Sequence, residues 1–87
     1  MFQLPEGDRA RWIDLLQANP VPDVLRQIAG TYSIGRGDLG FALVDLSPDV
    51  LTQHVQAVWT WDIERKGRGL NDDELVEELA SLRFRLD

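Results

Sequence analysis

Eighty-seven residues with a formal net charge of −6 and no cysteine bound the answer before any motif is sought. The length suits one domain spanning residues 1–87 with a single modest core, and the missing thiols exclude disulfides and thiolate metal sites. No apolar run approaches the ~20 residues a bilayer span requires, and Met1-Phe2-Gln3-Leu4-Pro5-Glu6 resembles no secretory leader, so the expectation is a cytoplasmic protein with no membrane partner.

The charge is unevenly spread. Residues 1–44 hold five acids against four arginines, and residues 45–87 hold ten acids against five basic residues. Such a surface repels phosphate backbones and attracts basic ones, although acidic faces also serve solubility alone.

In chain order, the first helix is expected from Pro5 to about Ala18. Proline suits a first helical turn, and Glu6 and Asp8 suit the positive end of the helix dipole. Trp12, Ile13, Leu15 and Leu16 give it a buried face, and Asn19-Pro20-Val21-Pro22 stops it. A short second helix runs from Pro22 through Ala29, with Val24, Leu25 and Ile28 inward and Gly30 as its stop. Asp38 caps a third covering Leu39 to about Asp45. The alternative for Phe41–Val44, a lone strand, has no pairing partner.

Ser47-Pro48-Asp49 has the composition of a helix opening. It predicts the longest helix, ending near Arg65, with Leu51, Val55, Val58 and Trp59 along its inner stripe. Gly67-Arg68-Gly69 turns the chain. The last helix has the clearest start: Asn71 caps, Glu74 reaches back, and Leu70 staples onto Leu75. Leu75, Val76, Leu79, Leu82 and Leu86 form its apolar stripe, with Arg83 and Arg85 at its C-terminal end. The fold class is therefore all-α, a single small domain of four or five short helices around one core.

Catalytic chemistry finds few candidates. His54 is the only histidine and is expected to be a partly exposed helix residue. No ligand set for a metal converges, and Asn71-Asp72-Asp73-Glu74 lacks the spacing of a calcium loop. The two Gly-x-Gly triplets do not extend into a phosphate-binding pattern, and the Arg-Gly-Asp of residues 36–38 is explained by loop glycines before a cap. The reading is a protein that is not an enzyme, with no cofactor and no metal.

Ile28, Ala29, Ile34, Leu39 and Ala42 resemble the apolar skeleton of a helix-turn-helix unit, with Ser33 where glycine is usual. The would-be recognition helix, Gly37 to Asp45, carries no arginine, lysine, asparagine or glutamine to read bases. The pattern is therefore read as packing, with no nucleic-acid partner.

What remains is binding. Trp59 and Trp61 point about 200° apart on a helix. Trp59 continues the inner stripe, which leaves Trp61 either packed under the Gly-rich loop or exposed as a candidate binding anchor. Around it Asp62, Glu64, Asp72, Asp73, Glu74, Glu77 and Glu78 form a candidate acidic surface if the last two helices pack as a hairpin. At class level the chain resembles small acidic helical immunity proteins and antitoxins, which implies an inhibitor covering a basic, toxin-like partner. The alternatives are a helical adaptor or self-associating subunit, marked by an exposed apolar patch, and a nucleic-acid mimic.

Overall fold

The computed structural model describes residues 2–85 and shows the expected all-α class: five helices, α1 (Glu6–Ala18), α2 (Val21–Tyr32), α3 (Arg36–Leu46), α4 (Thr52–Trp59) and α5 (Asp72–Glu78). Among the described residues there is no strand, only an isolated bridge between Trp61 and Leu70. Residues 39–46 are helical, which resolves the strand alternative.

α1 follows the expectation, buries Trp12, Ile13 and Leu16, and ends where Asn19 turns extended before Pro20. Its polar ties are specific. The Trp12 indole donates to the Tyr32 hydroxyl at 2.9 Å, and that hydroxyl donates to Asp8 at 2.7 Å, joining α1 to the end of α2. Burial pushes the Tyr32 phenol up from its ordinary value. Arg9 Nε donates to the Asp45 carbonyl and the Leu4 N–H to the Asp45 carboxylate, tying the N-terminal segment to the far end of α3.

α2 passes through Gly30 and stops at Ser33, correcting the expected stop. Helix termination of this type needs a residue with positive φ, and Ser33 supplies it at 54°. The Ser33 and Ile34 N–H groups both donate to the Ala29 carbonyl. Ser33, Ile34 and Gly35 then connect to α3, so the helix–turn–helix connectivity is present. α3 starts at Arg36 after an extended Gly35, which puts Asp38 in the first turn and not at the cap. There its charge still faces the positive end of the dipole.

The largest corrections concern α4. It does not open at Ser47-Pro48-Asp49, because Ser47 alone cannot reverse the chain between two antiparallel helices. Ser47 is buried, and its hydroxyl accepts the Asp49 N–H at 3.2 Å within a turn. The cap comes from elsewhere: the Nδ1 of His54 accepts the Leu51 N–H at 2.9 Å. His54 is 2 % exposed, not a surface residue, and its Nε2 lies 3.1 Å from the Ser81 hydroxyl. With Nδ1 accepting, Nε2 carries the proton and donates. α4 spans 8 residues and so is not the longest helix. It ends where the Thr60 hydroxyl donates back to the carbonyls of Gln56 and Ala57.

α5 begins as expected, with reciprocal bonds between Asn71 and Glu74 of 2.8 and 3.1 Å. It is shorter than expected. Beyond Glu78 a turn carries Leu79 and Leu82 into the core, and an extended segment follows in which the Arg85 N–H donates to the Leu46 carbonyl at the end of α3. Arg83 and Arg85 therefore lie off the helix. Val76, expected on the inner stripe, is exposed, and Leu86 lies outside the described residues.

Candidate functional site

The loop from Thr60 to Asn71 is built around Trp61, which is fully buried: of its two expected placements the ring takes the one packed under the loop, and the exposed anchor is ruled out. The Arg26 guanidinium sits 4.7 Å from the centre of its ring. Arg26 also grips Asp72 with two bonds of 2.9 and 2.7 Å and donates Nε to the Ile63 carbonyl. The Trp61 indole N–H donates to Asp72 as well, at 3.1 Å, and Arg65 reaches the same carboxylate at 3.3 Å. Hydrogen bonding from Arg26, the largest influence, holds the Asp72 carboxyl well below the usual carboxylate range. The same bond raises the Arg26 guanidinium.

Asp62 closes the tip of the loop. Its carboxylate accepts the Lys66 N–H at 2.8 Å and the Gly67 N–H at 2.7 Å, and the Lys66 bond is the chief cause that lowers its pKa. Glu64 pairs with Lys66 at 2.6 Å, which lowers the acid and raises the amine. The Asp62 N–H donates to the Leu70 carbonyl, the Leu70 N–H to the Thr60 carbonyl, and Gly67 and Gly69 take positive φ to allow the return. An open groove of about 230 Å³ lies beside this loop, flanked by Arg36, Ile63, Lys66 and Arg68. Arg36 there donates to the Trp61 carbonyl, so much of its polar lining is spent on the loop itself.

The expected acidic surface therefore divides. Asp62, Glu64 and Asp72 are engaged within the loop. Asp73, Glu74, Glu77 and Glu78 are exposed on α5, with Glu74 also serving the cap. Among the described residues no ion pair engages Asp73, Glu77 or Glu78. Between them Val76 is 43 % exposed.

A second surface, absent from the sequence reading, runs along the seam of α3 and α4. Gly40 is buried beneath the side chains of Trp59 and Val55, which would touch any Cβ placed there. The Trp59 indole donates to the Gly37 carbonyl at 3.1 Å and meets Phe41 edge-on with centroids 5.7 Å apart. Trp59, expected in the core, remains 41 % exposed. In the register that sets Gly37 against Trp59 and Gly40 against Val55, Val44 and Leu51 follow four residues beyond Gly40 and before Val55. Both are open to solvent, at 56 % and 60 %. Phe41 and Val55, half-buried, bridge the two ends. The exposed apolar residues of the two helices thus have an aromatic end at Trp59 and an aliphatic end at Val44 and Leu51.

No charged residue occurs from Val50 to Trp61, nor from Leu39 to Val44. That charge-free run, in a chain that is 28 % charged, is the one sequence signal that marks this face. Among the described residues no cluster of His, Asp and Glu is placed to hold a metal ion, and none of the helices is long and apolar enough to cross a membrane. Comparison with protein-family models, with curated proteins and with solved structures finds no match.

Proposed function

We propose that this chain is a non-catalytic protein-binding module whose contact surface is the uncharged α3–α4 face centred on Trp59. The observation that carries the reading is the group of apolar side chains left exposed on α3 and α4: Trp59, Val44 and Leu51, on two helices that meet at Gly40. Single exposed aliphatics are ordinary, but several exposed apolar side chains along an uncharged pair of helices are the kind of surface that marks protein contacts. Tryptophan is the residue most enriched at their energetic centres. The Trp59 N–H is already bonded to Gly37, so covering the ring leaves no polar atom stranded. This favours the adaptor or self-associating subunit over the other readings.

A second reading, an inhibitor covering a basic toxin-like partner, is favoured by α5. Its Asp73, Glu77 and Glu78 face solvent beside an exposed Val76. Charges so displayed speed encounter with a basic surface. The two readings separate in one capture experiment from source cells. Leu51→Glu with Val44→Glu abolishes capture if the α3–α4 face is the contact, while Asp73→Lys, Glu77→Lys and Glu78→Lys together leave it intact. The reverse pattern supports the inhibitor, and retention by both variants removes both surfaces from consideration.

A further inference from the structure

We infer that the occupant of the α3–α4 face is a second copy of this chain, paired about a twofold axis near Val55. The inference rests on the reading of that face as a contact surface and adds the identity of the partner.

Charge makes the first argument. The chain carries −6, so two copies repel wherever their acidic surfaces meet. α1 displays Glu6, Asp14 and Arg11, α2 displays Asp23, and α5 displays Asp73, Glu77 and Glu78. Packing copies symmetrically through α2 or α5 opposes like charges, and packing them through α1 buries charges of both signs. The α3–α4 face has no charged side chain on α4 and none on α3 between Leu39 and Val44. Its charges stop at the margins, with Asp38 at one end and Asp45 and Asp49 at the other. It is the surface on which two such acidic molecules can approach closely, and it offers no charge to steer a basic or acidic foreign protein.

Shape makes the second argument. An isologous interface requires that if one residue touches another across the axis, the reciprocal contact also forms. The face has unlike ends: the large Trp59 ring at one, the aliphatic pair Val44 and Leu51 at the other. Along α4 the two ends lie about 12 Å apart at 1.5 Å per residue. An axis midway between them, beside Val55, lays Trp59 of each copy against Leu51 and Val44 of the other. The face is thus self-complementary, aromatic on aliphatic, twice over. The modest exposure of these residues makes the contact a small one, at the weak and reversible end of protein interfaces.

The test is sedimentation equilibrium on the full chain from about 10 µM to about 1 mM, the range suited to weak interfaces. The expected result is an average mass that rises from one chain toward two, and more readily at high salt, because screening relieves the repulsion between like-charged copies. Leu51→Glu, at an exposed position, should keep the helical circular dichroism of the wild type and weaken association by about thirtyfold or more, as for a central contact. Trp59→Lys should weaken association as well, at some cost in stability because the ring also packs over Gly40, and circular dichroism confirms that the variant remains folded at the temperature used. Combining Leu51→Glu with Trp59→Lys should restore part of the association, since the introduced carboxylate of one copy then meets the introduced ammonium of the other. Those two positions are too far apart to pair within one chain. A chain that stays monomeric throughout overturns the inference, as does a dimer indifferent to Leu51→Glu or a double variant with no recovery. Capture of another protein that is lost in Leu51→Glu would then show that the face still docks a partner. A wild-type chain that neither self-associates nor captures a partner would remove the docking reading as well.

Discussion

The indole of Trp59 lies directly over the α-carbon of Gly40, so that a Cβ built there would meet its Nε1 at 2.5 Å and Val55 Cγ1 at 3.0 Å. This closeness lets α3 and α4 pack together while the ring remains 41 % exposed at the edge of the seam. Gly40→Ala gains helix propensity but pushes the ring off its Gly37 acceptor. The expected net effect is a loss of about 1–2 kcal/mol, overpacking outweighing propensity. A chemical-denaturation curve reads the loss, and a red shift in tryptophan emission reads the movement of the ring.

Gly69 is constrained more severely. It has a φ of +86°, and an added Cβ would collide with the Thr60 carbonyl oxygen, a backbone atom that cannot swing away. Gly69→Ala should break the Trp61–Leu70 bridge and cost about 3 kcal/mol or more, the scale of strain plus lost hydrogen bonds. Faster amide exchange at Asp62 and Leu70 would report the broken bridge. An unchanged exchange pattern would show that the loop does not depend on this turn.

Asp72 should make the fold sensitive to acid. Its folded-state pKa is depressed, chiefly by hydrogen bonding from Arg26. A group of that kind contributes stability that is complete above the unfolded carboxylate range, near 3.9, and is lost as pH falls through the folded value. Unfolding free energy measured between about pH 6 and pH 2 should therefore decline toward acid. Asp72→Asn should lower stability near neutrality by about 1–3 kcal/mol, the scale of charged hydrogen bonds at a half-exposed site. It should also flatten the decline, and an equally steep curve in that variant would place the acid sensitivity elsewhere.

Leu79 is 2 % exposed at the turn after α5. Leu79→Ala should cost about 2–5 kcal/mol, as for other buried leucines, which a thermal melt would show as a large drop in midpoint. Val76→Ala, two residues short of the same turn but solvent-facing, should fall within about 0.5 kcal/mol of wild type.

Local signals were readable, and nonlocal ones were not. Asn71 with Glu74 announces a helix start because both halves of the box lie within one turn, and the buried Trp12, Ile13 and Leu16 follow a single periodic stripe. The exposure of Trp59 is hidden from the sequence for a different reason. A helical wheel continued to Arg65 places Trp59 inside, but the helix stops at Thr60, and the pairing of Trp61 with Leu70 rotates that ring into the core. The partner that holds it there, Arg26, comes from α2 and leaves no periodic trace. His54 was misplaced in the same way, since its acceptor role depends on where α4 begins, and Ser81 is distant in sequence. The acidic residues were legible as a cluster but not by task. Only the geometry separates Asp62 and Asp72, which hold the loop, from Asp73, Glu77 and Glu78, which face water.

The most direct test of the α3–α4 face as the contact is the affinity for its occupant, second copy or foreign protein, as a function of ionic strength. An uncharged apolar contact predicts an affinity that holds or rises between about 50 and 500 mM salt, because screening has no attraction to weaken. It also predicts a large loss with Leu51→Glu and little change with Asp73→Lys, Glu77→Lys and Glu78→Lys combined. An affinity that falls steeply with salt and disappears in the α5 triple variant, with Leu51→Glu unaffected, would contradict the account and assign the contact to the acidic helix.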